Sequence, residues 1–231
     1  MKSLLPLTLL LLLALPGLTP TSANAEPTPD EVLDTWLTKQ ASFKTWSADV
    51  TQTRKLKSLV RPLVSEGKVY FRQPNQFRWV LGDPPKTLAV RMDDALVIVY
   101  PRLKQAERYA YGDVADESLR QALALLDVGF PNDVTTFREQ YDLLSATKAE
   151  NDRWSIELRP KSKEAQRIIG TIRLEVGGED YLLFVTEVAF PDGSTMTNTF
   201  SGHELNPELD DALFSVELDD SYEMVDPLKK Q

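Results

Sequence analysis

The side chains of this chain that are equipped for chemistry are few. Adjacent carboxylates occur at Asp93-Asp94, Asp210-Asp211 and Asp219-Asp220, the groups that acid–base catalysis or a hard cation would need. Each pair sits beside an expected strand end or turn, where solvated carboxylates need no further role. The single histidine, His203, follows Gly202 at a strand end and reads as a structural or surface residue. No Gly-rich phosphate loop follows a strand, and no G-x-S-x-G nucleophile turn is present. Gly177-Gly178-Glu179-Asp180 reads as a hairpin turn. One histidine cannot build a multi-His metal site, and no His/Asp/Glu set has ligand spacing on one face. Zero cysteines exclude disulfides, thiolate chemistry and attachment of a lipid to Cys. The expectation is a protein without catalytic activity, cofactor or metal.

The chain has 231 residues, 42% hydrophobic and 26% charged, with a net charge of −9. That is an ordinary globular composition. Its acidity argues against nucleic acid as a partner and against adsorption on anionic lipid. Met1-Lys2, an apolar run from Leu4 to Leu18, and Ala23-Asn24-Ala25 form a signal-peptide pattern, with cleavage expected before Glu26. The rival reading, an uncleaved anchor, requires about 20 apolar residues; the run here is shorter and carries Pro6 and Pro16. Residues 1–25 are therefore expected to be a cleaved signal peptide and residues 26–231 one exported domain. Loss of Lys2 moves the net charge to about −10.

Thr28-Pro29-Asp30-Glu31 is a capping box with proline at the first helical position, and opens a helix running to about Ser42. Beyond it the period changes from helical to two. Trp46, Ala48 and Val50 alternate with polar neighbours, as do Phe77, Trp79 and Leu81; Trp154, Ile156 and Leu158; Ile172, Leu174 and Val176; Met196, Asn198 and Phe200; and Phe214, Val216 and Leu218. Ten or eleven short strands separated by turn signals are expected, forming a large antiparallel sheet that curls. Leu96–Tyr100 and Leu182–Val185 are apolar on both faces. Something must cover each side, and the first helix is available for the outer one. A central helix over 115–128 carries a stripe of Leu119, Ala122, Leu123, Leu125 and Leu126, ended by Gly129 and Pro131. A weaker helical turn follows over 132–141. A curled sheet either fills its interior with side chains or leaves a ligand cavity. For Phe77, Trp79, Ile98 and Tyr100 both readings stand, and Trp154, Ile156 and Leu158 can face either side.

Four segments, in order, resemble the LolA-type outer-membrane lipoprotein carriers. Gly67-Lys68-Val69-Tyr70-Phe71-Arg72-Gln73-Pro74-Asn75-Gln76-Phe77-Arg78-Trp79 is similar to that family's G-x-[apolar]-x-[apolar]-[KR]-[KR]-P-x-x-F-x-W. Val50-Thr51-Gln52-Thr53-Arg54 resembles the end of its first strand. Tyr100-Pro101 with Gln105-Ala106 resembles the element after its hydrophobic strand, and Asn206-Pro207 with Phe214 resembles its closing segment. The resemblance implies a mainly β (α+β) fold, an incompletely closed, curled antiparallel β half-barrel with a helical lid. It implies an acyl-chain cavity at Phe77, Trp79, Leu81, Val90, Ile98 and Tyr100, and lid residues Leu119, Leu123 and Leu126. It also implies a monomer in the periplasm that takes acylated lipoproteins from an inner-membrane lipoprotein-releasing ABC complex to an outer-membrane receptor lipoprotein. One position departs from the pattern. The residue before the proline, which in the family is usually the arginine tying lid to barrel, is Gln73, and the arginine is Arg72. A shift of one residue along a strand turns a side chain to the opposite face, so either Arg72 or Gln73 is the possible latch. That departure keeps two further readings open: a carrier of another amphiphile such as a phospholipid or pigment lipid, and a lipid-sensing or partner-binding regulatory domain.

Overall fold

A computed structural model describes residues 26–110, 129, 131 and 134–225. The capping box forms as its residue types require. The Thr28 backbone N–H donates to Glu31 Oε2 at 2.7 Å and the Glu31 N–H donates back to Thr28 Oγ1 at 3.3 Å. The hydrogen bonds from Thr28 also hold the Glu31 carboxyl below its ordinary range. They start helix α1 (Pro29–Ser42), whose Val32, Leu33, Trp36 and Leu37 are all buried. Each contributes about 1.5–3 kcal/mol by leaving water.

The twelve strands are β1 (Thr45–Lys55), β2 (Leu63–Arg72), β3 (Gln76–Leu81), β4 (Thr87–Arg91), β5 (Ala95–Tyr100), β6 (Gln105–Ala110), β7 (Tyr141–Ala149), β8 (Arg153–Pro160), β9 (Thr171–Gly177), β10 (Leu183–Ala189), β11 (Thr195–Leu205) and β12 (Glu223–Val225). Two short α-helices, α2 (Val134–Gln140) and α3 (Lys163–Ile168), and two 3₁₀ turns complete the described elements. The sheet runs β12-β6-β5-β4-β3-β2-β1-β11-β10-β9-β8-β7 and does not close on itself. Eleven strands pair antiparallel in meanders; β12 lies parallel to β6, a pairing the alternation pattern does not announce. The central seam joins β1 to β11, and Asn206 fixes its end. In left-handed backbone (φ 53°), Asn206 accepts from the Lys44 N–H at 2.8 Å and donates its own N–H to Thr45 O at 2.9 Å. Asparagine tolerates that conformation better than most residues.

The sheet curls around one core. Trp46, Ala48, Val50, Val69, Phe71 and Phe77 meet Trp154, Ile156, Leu158, Ile172, Leu174 and Val176 there, so β8 and β9 point these side chains inward. Helix α1 lies inside the curl at the β7–β8 end. Trp36 meets Phe137 of α2 edge-on at 5.7 Å, and Arg138 clamps Asp30 and Asp34 at 2.8 and 2.7 Å. The outer face of Leu96–Tyr100 is covered differently from the sequence expectation. Val97, Val99 and Ala106 pack with Leu88, Met92, Val216, Leu218 and Tyr222, so the C-terminal segment covers it and α1 does not. That segment begins with a 3₁₀ turn, Asp211–Phe214, and continues without regular structure to β12, where a strand over 214–218 was expected. Expected helix 115–128, with Leu119, Leu123 and Leu126, lies outside the described residues.

Candidate functional site

Antiparallel partners share a face, so the register assembles a wall. Ala48, Val69, Trp79, Ala89 and Ile98 are successive partners across β1 to β5. Val50 and Phe200 extend the row across the seam. These rows, together with side chains from β9 and β10, enclose a cavity of about 230 Å³ on the concave face. Its apolar lining includes Phe77, Trp79, Leu81, Ile98, Ile172 and Phe200. Strands β5 and β9 are seven steps apart in the sheet, roughly 34 Å if it were flat at about 4.8 Å per step. Ile98 and Ile172 line one cavity only because the sheet curls.

Five of the six positions named from the sequence, Phe77, Trp79, Leu81, Ile98 and Tyr100, border this cavity. Val90 does not. It is fully buried, but it pairs with Arg78 and Val97 on the outer face, while its neighbour Ala89 lines the cavity. Period-two geometry forbids both from facing inward.

Polar groups sit at defined places in the lining. Gln52 Nε2 donates to Asn198 Oδ1 at 3.1 Å, and Asn198 Nδ2 donates to Thr186 Oγ1 at 3.0 Å, a chain bridging β1, β11 and β10. Asn198 is only 6% exposed, so its amide needs these partners. At one end the hydroxyls of Tyr100 and Tyr109 both donate to Glu107 Oε2, at 3.4 and 2.9 Å. Burial, and then the Glu107 carboxylate, push both phenols above their ordinary range. The indole N–H of Trp79 has no acceptor among the described residues. The wall therefore offers a long apolar surface with amide and indole donors at intervals. Gln52, Thr186, Asn198 and Phe200 were not singled out as site residues, although the alternation over Met196–Phe200 put Asn198 and Phe200 on one face.

The two latch candidates separate. Arg72 points to the outer face with Tyr70. Its guanidinium donates to Asp211 Oδ1 at 2.7 Å and to Leu209 O at 2.8 Å, and lies 4.3 Å over the Phe214 ring. Arg78 joins it, donating to Leu213 O at 3.1 Å. Arg72 thus holds the C-terminal segment against the sheet. Gln73, in the β2–β3 turn, donates from Nε2 to Ala41 O in the last turn of α1 at 2.8 Å. On the opposite side Gln40 Nε2 donates to Tyr181 O at 3.2 Å, so the end of α1 is tied to both flanks of the curl. Gly129 also lines the cavity.

The acidic pairs take turn and pairing roles. Asp94 meets Arg108 at 2.6 Å, Asp210 caps the 3₁₀ turn, and Asp219 accepts from the Ser221 N–H. His203 packs against Trp46 and Phe184 at ring distances of 5.7 and 5.0 Å, and burial lowers its pKa. Among the described residues no group of three or more His, Asp or Glu is arranged to hold a metal, and no helix is long and apolar enough to cross a membrane.

No curated protein sequence matches the chain. Solved structures match its fold at low identity. An uncharacterized conserved protein from Thermus thermophilus superposes with a TM-score of 0.50 at 13% identity, over 85% of this chain and 98% of its own. A DUF1329 family protein from Desulfovibrio piger gives 0.49 at 14%, over 82% and 98%. A LolA superfamily protein from Nitrosomonas europaea gives 0.45 at 12%, over 83% and 99%. The sequence profile of the outer membrane lipoprotein carrier protein LolA matches residues 41–217, from the end of α1 to the segment that straps the outer face. The chain belongs to the LolA family of outer membrane lipoprotein carriers.

Proposed function

We propose that residues 26–231, after removal of a signal peptide at 1–25, form a periplasmic carrier for the acyl chains of lipoproteins. It receives them from an inner-membrane lipoprotein-releasing ABC complex and passes them to an outer-membrane receptor lipoprotein. The observation that carries this reading is the apolar cavity walled by Phe77, Trp79, Leu81, Ile98, Tyr100 and Phe200 in a member of this family. Keeping a ~16-carbon chain out of water is worth on the order of 12 kcal/mol at ~0.8 kcal/mol per CH₂, so a soluble shuttle must offer a comparable apolar surface. The polar chain Gln52–Asn198–Thr186 and the Trp79 indole suit the ester and amide groups where acyl chains join a polypeptide.

The cavity, at about 230 Å³, is smaller than the roughly 300–1,000 Å³ of sites that enclose a ligand. Loading therefore requires it to widen, and the cost of widening lets a carrier release its cargo without an energy source. Residues 115–128 are the proposed cover, with Leu119, Leu123 and Leu126 packing over the mouth when the site is empty. Gly129, just beyond that segment in sequence, lines the cavity, which supports this reading.

Native mass spectrometry of the chain isolated from its periplasm without detergent tests the reading. An adduct of several kilodaltons containing an acylated polypeptide is expected; consistently bare protein would sink it. A second reading, a carrier of another amphiphile, is favoured by Gln73 occupying the latch position while Arg72 serves the outer face. It predicts an adduct below about two kilodaltons, within the mass of a single lipid.

A further inference from the structure

The hairpin joining β1 to β2 departs from the rest of the molecule in both charge and polarity. From Val50 to Ser65 there are four cations, Arg54, Lys55, Lys57 and Arg61, and no acid, in a chain whose net charge is −9. All four are exposed, and among the described residues none of them forms a salt bridge. At the base of the hairpin Lys55 and Lys57 act on the carboxyls of Glu187 and Asp192 respectively, without forming salt bridges among the described residues. Between the cations stand Leu59, Val60, Leu63 and Val64, with Val60 wholly in solvent. Four of the eight large apolar side chains that the described surface exposes lie in these six residues.

The tip is built. The Lys57 N–H donates to Ser194 Oγ at 3.2 Å, fixing its base to the β10–β11 turn, and the Leu59 N–H closes a turn on Leu56 O at 2.9 Å. Its strands continue into the site, since Gln52 lines the cavity and Arg54 acts on the Tyr100 phenol at the cavity end. A projecting element that alternates exposed aliphatic and cationic side chains matches a bilayer surface, where aliphatic groups enter the interface and cations meet phosphates. The acidity of the remaining surface does not oppose this, because screening confines each charge to about 10 Å. The tip joins an acid-free run of cations to exposed aliphatic side chains, so docking through it would fix the orientation of the molecule.

We propose that the β1–β2 hairpin tip docks on bilayers bearing anionic phospholipid headgroups, with Leu59, Val60, Leu63 and Val64 at the interface and Arg54, Lys55, Lys57 and Arg61 against phosphates. This goes beyond the carrier reading and does not depend on the cargo. Docked this way, the cavity end at Tyr100 faces the membrane.

Co-sedimentation with phosphatidylethanolamine vesicles containing phosphatidylglycerol, against phosphatidylcholine vesicles, tests the proposal with the full mature chain. Preferential pelleting with the anionic vesicles is expected, falling as salt rises. Lys57→Gln with Arg61→Gln should lower the partition about fivefold per charge removed. Because the chain has no cysteine, Val60→Cys takes a single environment-sensitive dye; its emission should shift blue on anionic vesicles alone. No pelleting at low salt, unchanged pelleting of the double variant, or a label that stays in water would each overturn the proposal. Uptake of a fluorescent fatty acid in solution should be unaffected by these tip changes, which keeps a failure of docking distinct from a failure of the cavity reading.

Discussion

At the scale of single residues the backbone spacing of the sheet sets hard limits. A Cβ added to Gly67 would lie 1.8 Å from the Val80 carbonyl oxygen of the neighbouring strand β3. Gly67→Ala must push the strands apart, at about 1–3 kcal/mol, and a lowered urea midpoint with an unchanged slope is the expected reading. A second residue-scale prediction concerns acid. Burial between Trp46 and Phe184 lowers the His203 pKa below 6.5, with Asp180 partly opposing and Arg153 adding to the effect. The unfolded chain then binds a proton that the folded one resists. The stability involved is full above about pH 6.5 and is lost as pH falls toward the folded value. His203→Leu should flatten this part of the profile between pH 7.5 and 5.5; an identical pH slope in wild type and variant would refute the assignment. Single residues also show why the cavity was legible in part. Phe77 and Trp79 flank polar Arg78, so their common face is evident, and Leu81 continues it beyond Val80. Leu88-Ala89-Val90 is apolar throughout, and period two cannot say which member faces in; the larger Val90 turned out to lie outside and the small Ala89 inside.

At the scale of elements the same ambiguity explains the outer cover. Phe214, Val216 and Leu218 alternate as a strand would, yet Phe214 ends a 3₁₀ turn, and Val216 and Leu218 lie in a strap over β4–β6 that pairs only at β12. Alternation reports which side chains are buried together, and a strap laid across a sheet needs it as much as a strand within one. Helix α1 was readable to the residue because a capping box is a local hydrogen-bond device, independent of tertiary contacts. What it covers is not local, and the assignment of α1 to the outer face failed for that reason. The two latch candidates give a matched pair of predictions. Arg72→Leu removes the ties to Leu209, Asp211 and Phe214; because the Asp211 side chain is 95% exposed, the global loss should be only about 1 kcal/mol. Amide exchange should quicken in 209–225 and not in α1. Gln73→Leu frees the Ala41 carbonyl, and its faster exchange should fall in the last turn of α1. Peptide-resolved hydrogen exchange separates the two, and an exchanged pattern would show that the assignments are reversed.

At the scale of the whole molecule, the curl spends core volume on a hollow. The β7–β8 end is filled by α1, Trp154, Ile156 and Leu158, whereas about 230 Å³ stays open between β3–β5 and β9–β11, against Phe77, Trp79, Ile98 and Ile172. A chain selected for stability alone would fill that space, because cavity-filling substitutions commonly add about 0.5–2 kcal/mol. Ala89 is the place to fill it. It lies on the cavity wall, between its cross-strand partners Trp79 and Ile98, and its methyl leaves the hollow in front of it. Ala89→Phe should therefore raise the thermal midpoint by a few degrees, about 2–4 °C per kcal/mol for a chain of this size, while cutting uptake of a fluorescent acyl chain by tenfold or more. The two readouts have to move in opposite directions. A stabilised variant with unchanged uptake would mean that acyl chains bind elsewhere. A destabilised variant would mean that the hollow is already occupied by the ordinary motion of its own walls. Stability gained as binding is lost is the outcome expected of a fold that leaves its interior incomplete so that a ligand can complete it.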